Sequence, residues 1–285
     1  MDQQITIKYN EYQIVVSFLG AQLLSFKKND HEYIWMGDKA SWVNHAPILF
    51  PVCGGLNDGI YRYNDKEYPM IKHGFIRQTL FKLEKTGENY IELIAKDDEE
   101  TSKSFPFHFS FIVRYELNVN GLSITYRIKN LDQKIMYFNV GGHEGYQLYD
   151  DLDHYYIVFS EDEELKSNII NGNLIERNTI DFTKYKRDLP LNYDYFQKDA
   201  LVFQNIKSQY VSLFHKDKGN VVTIDFSNAK HLVLWSIPGA KFICIEPWTG
   251  IHDYINEKTN ILNKQDVISL QANEQYEFKH EILVD

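Results

Sequence analysis

From Phe107 to Leu117 every second residue is apolar: Phe107, Phe109, Phe111, Val113, Tyr115 and Leu117. A period of two belongs to a pleated strand, whose side chains alternate between faces; it cannot lay an apolar stripe along a helix. After Asn120-Gly121, a dipeptide suited to the positive φ angles of a tight hairpin, the alternation resumes at Leu122, Ile124, Tyr126 and Ile128. Residues 107–128 therefore predict a β-hairpin with one buried face. Strand-like runs recur at 13–18, 32–35, 90–95, 134–140, 155–159, 211–214, 220–226, 231–237, 241–245 and 276–284. A sustained amphipathic helical pattern is nearly absent, and the polar stretch 161–199 reads as loops with short strands. Aromatic residues make up 15% of the chain, a bias that suits half-buried pleated surfaces.

Many short strands separated by turn signals, over 285 residues with no linker-like stretch and no fixed-period repeat, predict an all-β chain. The expected fold is one large antiparallel β-sandwich, with residues 1–285 forming a single domain. The formal charge of −10 argues against nucleic acid or an anionic membrane as partner. No stretch reaches the ~18 apolar residues of a membrane span. The start MDQQITIKYN lacks the basic and apolar parts of a secretory signal, so the expected location is the cytoplasm. Cys53 and Cys244 both lie in apolar runs, which does not indicate a disulfide scaffold and argues against a metal site built on two lone thiols.

Three segments interrupt the strand pattern with ionisable groups beside glycine or proline: Lys72-His73-Gly74-Phe75, Gly141-Gly142-His143-Glu144-Gly145, and Cys244-Ile245-Glu246-Pro247-Trp248. A carboxylate among Ile245 and Trp248 has its pKa raised by burial, which suits Glu246 to general-base work; a strand-end Glu pointing to water is the plainer alternative. His143, after two glycines, titrates near neutrality and is the natural acid partner, against the alternative of a hydrogen-bonded structural histidine. For His73 the structural alternative weighs more. A zinc site from His73, His143 and Glu246 lacks any close-spaced ligand pair, and no metal is expected.

Taken in order, these segments resemble the aldose 1-epimerase (galactose mutarotase) superfamily, and within it the LacX-like branch. His73-Gly74-Phe75 with Arg77 is similar to the first histidine motif, Gly141-Gly142-His143 to the second, and Glu246-Pro247-Trp248-Thr249-Gly250 to the catalytic-glutamate motif. Phe50–Gly59 and the stretch from Leu189 to Phe203 extend the likeness, which runs from about Ile14 to about Tyr276. Two departures stand out. Many relatives carry an arginine where this chain has Gly55, with Arg77 as the substitute expected here, on a strand. A proline often follows the second histidine, where this chain has Glu144, expected beside His143 and raising its pKa.

The resemblance implies a supersandwich with an open cleft and an enzyme that interconverts α and β anomers of a hexose. Glu246 would remove the proton of the C1 hydroxyl and His143 would protonate the ring oxygen, without any cofactor. His73, Arg77 and Asp199 would hold hydroxyls, and Trp248 would offer its face to the sugar or pack in the core. The expected ligand is a free hexose rather than a sugar phosphate, since only scattered cations (Lys72, Arg77, Arg62) are available to a phosphate. A hexose-6-phosphate epimerase and a non-catalytic sugar binder are the alternatives. The chain is expected as a monomer or homodimer.

Overall fold

Alternation along Phe109–Asn118 buries Phe109, Phe111, Val113, Tyr115 and Leu117, none more than 1% exposed. Its partner strand Gly121–Asn130 answers with Leu122, Ile124, Tyr126 and Ile128, in a register that sets Ile124 against Tyr115 and Tyr126 against Val113. Each large side chain so buried contributes about 1.5–3 kcal/mol of transfer free energy, which fixes the register because a one-residue slip would expose the whole set. The hairpin is as expected, but its turn is shifted: the loop residues are Val119 and Asn120, and Gly121 pairs with Asn118. Gly121 takes φ 145°, and a Cβ there would lie 2.1 Å from the Ile282 carbonyl oxygen, so both the backbone angle and the close approach require glycine.

The computed structural model describes residues 3–284. The hairpin is the middle of a nine-stranded antiparallel sheet running in the order Asp188–Pro190, Tyr155–Phe159, Tyr210–His215, Gly219–Asp225, Gln275–Leu283, Gly121–Asn130, Phe109–Asn118, Tyr90–Lys96, Lys82–Thr86. A six-stranded antiparallel sheet runs in the order Gly145–Gln147, Phe242–Trp248, His231–Trp235, Leu201–Gln204, Lys166–Asn171, Leu174–Asp181. A four-stranded N-terminal sheet spans Gln4–Tyr9 to His31–Glu32. One continuous core takes residues from all three, including Ile14 and Phe26, Phe111 and Ile282, and Leu234 and Ile245. Helical structure among the described residues is confined to 3-10 turns of three or four residues, so no helix is long and apolar enough to cross a membrane.

The six-stranded sheet divides its side chains between two environments, and this places the site. On Phe242–Trp248 the residues Ile243 and Ile245 enter the main core. Phe242 and Cys244 join a small outer cluster with Trp35 and Ala240, and Trp248 joins another with Leu49, Val202 and Val233. Glu246, two residues from both Cys244 and Trp248, faces outward with them. Pro247 does not end the strand: Leu232 and Val233 still pair with Pro247 and Glu246, so Glu246 sits inside the strand rather than at its end. The stretch 161–199 contributes the hairpin Lys166–Asn171 and Leu174–Asp181, turning at Gly172-Asn173.

Candidate active site

Outward from the six-stranded sheet lies a cleft of about 370 Å³, lined by His73, Arg77, His143, Asp199, Glu246 and Trp248 together. All six positions singled out in the sequence therefore meet at one place. The volume falls at the lower end of the ~300–1,000 Å³ usual for small-molecule sites. Sequence reasoning missed Trp42, Trp235 and His252, which also line it.

Glu246 reaches the cleft from a fully paired strand and is 1% exposed. Burial pushes its carboxyl well above the usual carboxylate range; Lys72 opposes that shift, and Glu144 and Asp199 add to it. His143 stands on the segment before Gly145–Gln147, on the same outward face, because Gly145 pairs with Cys244. Gly141 allows this approach, since a Cβ there would lie 2.8 Å from the Trp248 ring and 2.9 Å from the Pro247 carbonyl oxygen. His143 Nε2 lies 3.5 Å from Glu246 Oε2, and that oxygen has no hydrogen-bond partner among the described residues. Burial lowers the His143 pKa to about 3, with Lys72 and Arg77 pushing the same way. Trp42 stacks on the imidazole with ring centroids 5.2 Å apart, and Trp235 meets it edge-on at 5.9 Å.

His73 is held by Gly54: its backbone N–H donates to the Gly54 carbonyl at 2.8 Å, and its Nδ1 accepts from the Gly54 N–H at 3.2 Å. That bond leaves Nε2 of the neutral ring as the donor. Burial, then the neighbouring His143 and Lys72, keep the ring neutral by lowering its pKa well below the usual value. His73 adopts φ 69°, a left-handed conformation uncommon outside glycine and enriched at functional sites.

Arg77 corrects one expectation. It lies on the 3-10 turn Ile76–Gln78 rather than on a strand, and donates from Nη2 to the Lys72 carbonyl at 3.0 Å. Asp199 meets Lys72, with Nζ 3.8 Å from Oδ2. Gly55 cannot carry a side chain, because a Cβ would lie 2.2 Å from the Asn173 carbonyl oxygen. That carbonyl accepts a hydrogen bond from His252 Nδ1 at 2.8 Å. Trp248 is 1% exposed and donates from Nε1 to the Gly142 carbonyl at 3.2 Å, bracing the turn that carries His143. The half-buried Trp42 and Trp235 are the rings more open to a ligand.

Glu144 corrects a second expectation. It points to the opposite face, into the main core, where Oε1 accepts from His280 Nε2 at 3.0 Å. It does not accompany His143, whose pKa is lowered by burial rather than raised. His143, Cys244 and Glu246 bring ligand-type atoms within 4.8 Å of one another, but burial keeps the Cys244 thiol protonated by pushing its pKa well up. Both cysteines are free and buried.

The sequence profile of the aldose 1-epimerase family matches residues 3–283. A LacX protein of Lactococcus lactis subsp. lactis, plasmid-encoded, is 31% identical over 283 residues, covering 92% of this chain and 94% of its own length. The structure of a galactose mutarotase-related enzyme from Lactobacillus acidophilus matches with a TM-score of 0.93 at 28% identity, covering 99% of this chain and 97% of that one. A galactose mutarotase-like protein from Lactobacillus casei matches at 0.94 and 28%, covering 99% and 100%.

Proposed function

The chain belongs to the aldose 1-epimerase family, and from that premise we propose that it interconverts the α and β anomers of an aldohexose by general acid–base catalysis. The observation that carries the reading is the His143–Glu246 contact, 3.5 Å across a cleft that also holds His73, Arg77 and Asp199. Opening a pyranose needs one proton taken from the C1 hydroxyl and one given to the ring oxygen. Glu246 takes the first and His143 gives the second; rotation about C1–C2 follows, and both transfers reverse on closure.

The electrostatics of the cleft favour this cycle. After ring opening the proton count is Glu246 neutral and His143 neutral, and burial pushes both groups towards those uncharged forms. The site is thus matched to the state that accompanies the open-chain aldehyde. Ring closure starts from that state, with the Glu246 carboxyl as acid and the His143 imidazole as base. Lys72 draws Glu246 back towards the carboxylate needed for the next opening. His73 donates from Nε2, Asp199 accepts, and Arg77 adds donors, a set suited to gripping hydroxyls. Trp42 and Trp235 present ring surface beside His143 for the apolar side of a sugar.

Polarimetry on freshly dissolved α-glucose and α-galactose tests the proposal. The expected result is a rotation that relaxes faster in proportion to protein concentration. Relaxation at the buffer rate for both sugars, with binding detected by calorimetry, would instead make the protein a sugar binder.

A further inference from the structure

Cys244 lies two residues before Glu246 on the strand Phe242–Trp248, and the two side chains share its outward face. The pairing of Gly145 with Cys244 brings His143 opposite Glu246. One thiol, one imidazole and one carboxylate therefore meet, with their ligand-type atoms all within 4.8 Å of one another. The sequence offers His73 as the third member of such a set; the fold supplies Cys244 instead. Two ligands of a tetrahedral zinc ion, at the ~2.0–2.2 Å bonds it makes to nitrogen and oxygen, stand about 3.4 Å apart. His143 Nε2 and Glu246 Oε2 stand 3.5 Å apart, longer than a normal hydrogen bond and a fitting span for one shared ion. That oxygen has no hydrogen-bond partner among the described residues, although Glu246 is 1% exposed. Sulfur, with its ~2.3 Å bond to zinc, belongs about 3.6 Å from the other two ligands. Cys244 Sγ thus has at most about 1.2 Å to travel, a distance that a turn about χ1 covers.

We propose that Cys244, His143 and Glu246 form a zinc site whose occupation switches off the acid–base pair. Thiol, imidazole and carboxylate together suit zinc rather than magnesium or calcium, which take oxygen ligands. On binding, Cys244 gives its proton to solvent and Glu246 binds as the carboxylate, so two negative ligands cancel the charge of the divalent ion in a buried place. The thiol is too deeply buried to ionise by itself; coordination is what removes its proton. Trp35, Ala240 and Phe242 pack around Cys244, an apolar shell that keeps water from the sulfur. On the other side His143 and Glu246 line the cleft, which is the ion's route in and leaves its fourth position to water. Lys72 and Arg77 oppose a cation here, and Asp199, 3.8 Å from Lys72, offsets part of that opposition. The ion occupies the lone pairs through which Glu246 and His143 exchange protons with the sugar, so anomer exchange stops while it is bound.

The inhibitory role rests on the epimerase reading, whereas the site does not, and two readouts keep them apart. Cobalt(II) added to the chelator-stripped protein should give a thiolate-to-cobalt charge-transfer band in the near ultraviolet. The band should saturate at one ion per chain and be lost in Cys244→Ala but not in Cys53→Ala. Zinc should slow anomer exchange of glucose and galactose, a chelator should restore it, and magnesium should leave it unchanged. Cys244→Ala should exchange at the parent rate without zinc and need at least about tenfold more zinc for half-inhibition, since even outer-shell partners are worth ~10–100-fold in metal affinity. If Cys244→Ala fails to fold, Cys244→Ser makes the same comparison. No charge-transfer band, or a band that survives the loss of Cys244, overturns the site. Exchange unaffected or accelerated by zinc, or inhibition equally potent in the parent and in the folded Cys244 variant, overturns the switch. If no aldose is turned over, the cobalt band decides alone: a band that depends on Cys244 retains the site while the epimerase reading falls.

Discussion

His143 and Glu144 are neighbours in the chain, yet each enters a different buried acid–imidazole pair. His143 turns outward to Glu246, with Nε2 to Oε2 at 3.5 Å, and the pair lines the cleft. Glu144 turns inward to His280 on the strand Gln275–Leu283, with Nε2 to Oε1 at 3.0 Å, and ties the segment carrying His143 to the nine-stranded sheet. Both pairs are almost fully buried. What separates them is what lies beyond. The outward pair faces a space able to take a sugar, at a separation longer than a hydrogen bond; the inward pair is closed by Tyr126 and the core. Burial of ionisable groups is common to both pairs; burial beside an open cleft belongs to the outward pair alone.

The largest effect expected on this contrast is catalytic. Glu246→Gln and His143→Asn should each lower anomer exchange by ~10²–10⁴-fold. Because the two act as a unit, the double variant should be little slower than either single one. Multiplicative losses in the double variant, read from steady-state exchange rates, would mean the two residues act separately.

The second effect is on stability and belongs to the inward pair. Glu144→Leu leaves a buried imidazole without its hydrogen-bond partner and should cost about 1–3 kcal/mol in urea unfolding. Turnover per folded molecule should fall far less than in Glu246→Gln. Replacing both members, Glu144→Leu with His280→Leu, should recover most of the loss, since an apolar pair of similar volume carries no desolvation penalty. A double variant no more stable than the single one would place the cost in packing instead.

A third effect has the opposite sign in the outward pair. Burial raises the Glu246 pKa above its ordinary 4.5, so above that pH the folded protein holds a proton that the unfolded chain has released. Rising pH then disfavours folding, and Glu246→Gln removes the penalty. The variant should match or exceed the parent in stability, by a margin that begins to widen as the pH rises above about 4.5; a constant margin in thermal melts would contradict this.

The smallest effect is on the acid side. His252 titrates near 6.5 in the unfolded chain and only about 3 when folded, so lowering the pH through that window favours unfolding. His252→Gln should flatten the fall in stability between pH 6.5 and pH 4. An unchanged slope would assign that fall to the other buried imidazoles, among them His73, His143 and His231, the last with its pKa lowered to about 4.

How far the sequence reveals this contrast follows from range. Strands were legible where alternation ran long, as at Tyr90–Lys96, Tyr155–Phe159 and the central hairpin. The strand Lys82–Thr86 was not, because an edge strand exposed along its whole length carries no apolar period. His73, His143 and Glu246 stood out because an ionisable group beside glycine or proline in an apolar run is conspicuous locally. Trp42 lies in a segment with no strand period, and only its tertiary stacking on His143 gives it a place in the site. The face that Glu144 occupies depends on the pairing of Gly145 with Cys244, a contact between residues 99 apart in sequence that no local pattern encodes. On a strand Phe75 and Arg77 would share one face, whereas the backbone there closes a 3-10 turn, with Gln78 N–H donating to the Phe75 carbonyl at 2.8 Å.

The most direct test of the two-pair account is a side-by-side measurement of anomer exchange per folded molecule and of unfolding midpoint in Glu246→Gln and Glu144→Leu. The account predicts that Glu246→Gln loses exchange by ~10²-fold or more with its midpoint held or raised, while Glu144→Leu melts early but exchanges at a rate within about tenfold of the parent. Exchange at the parent rate in a folded Glu246→Gln would contradict it, because the outward pair would then have no part in opening the ring.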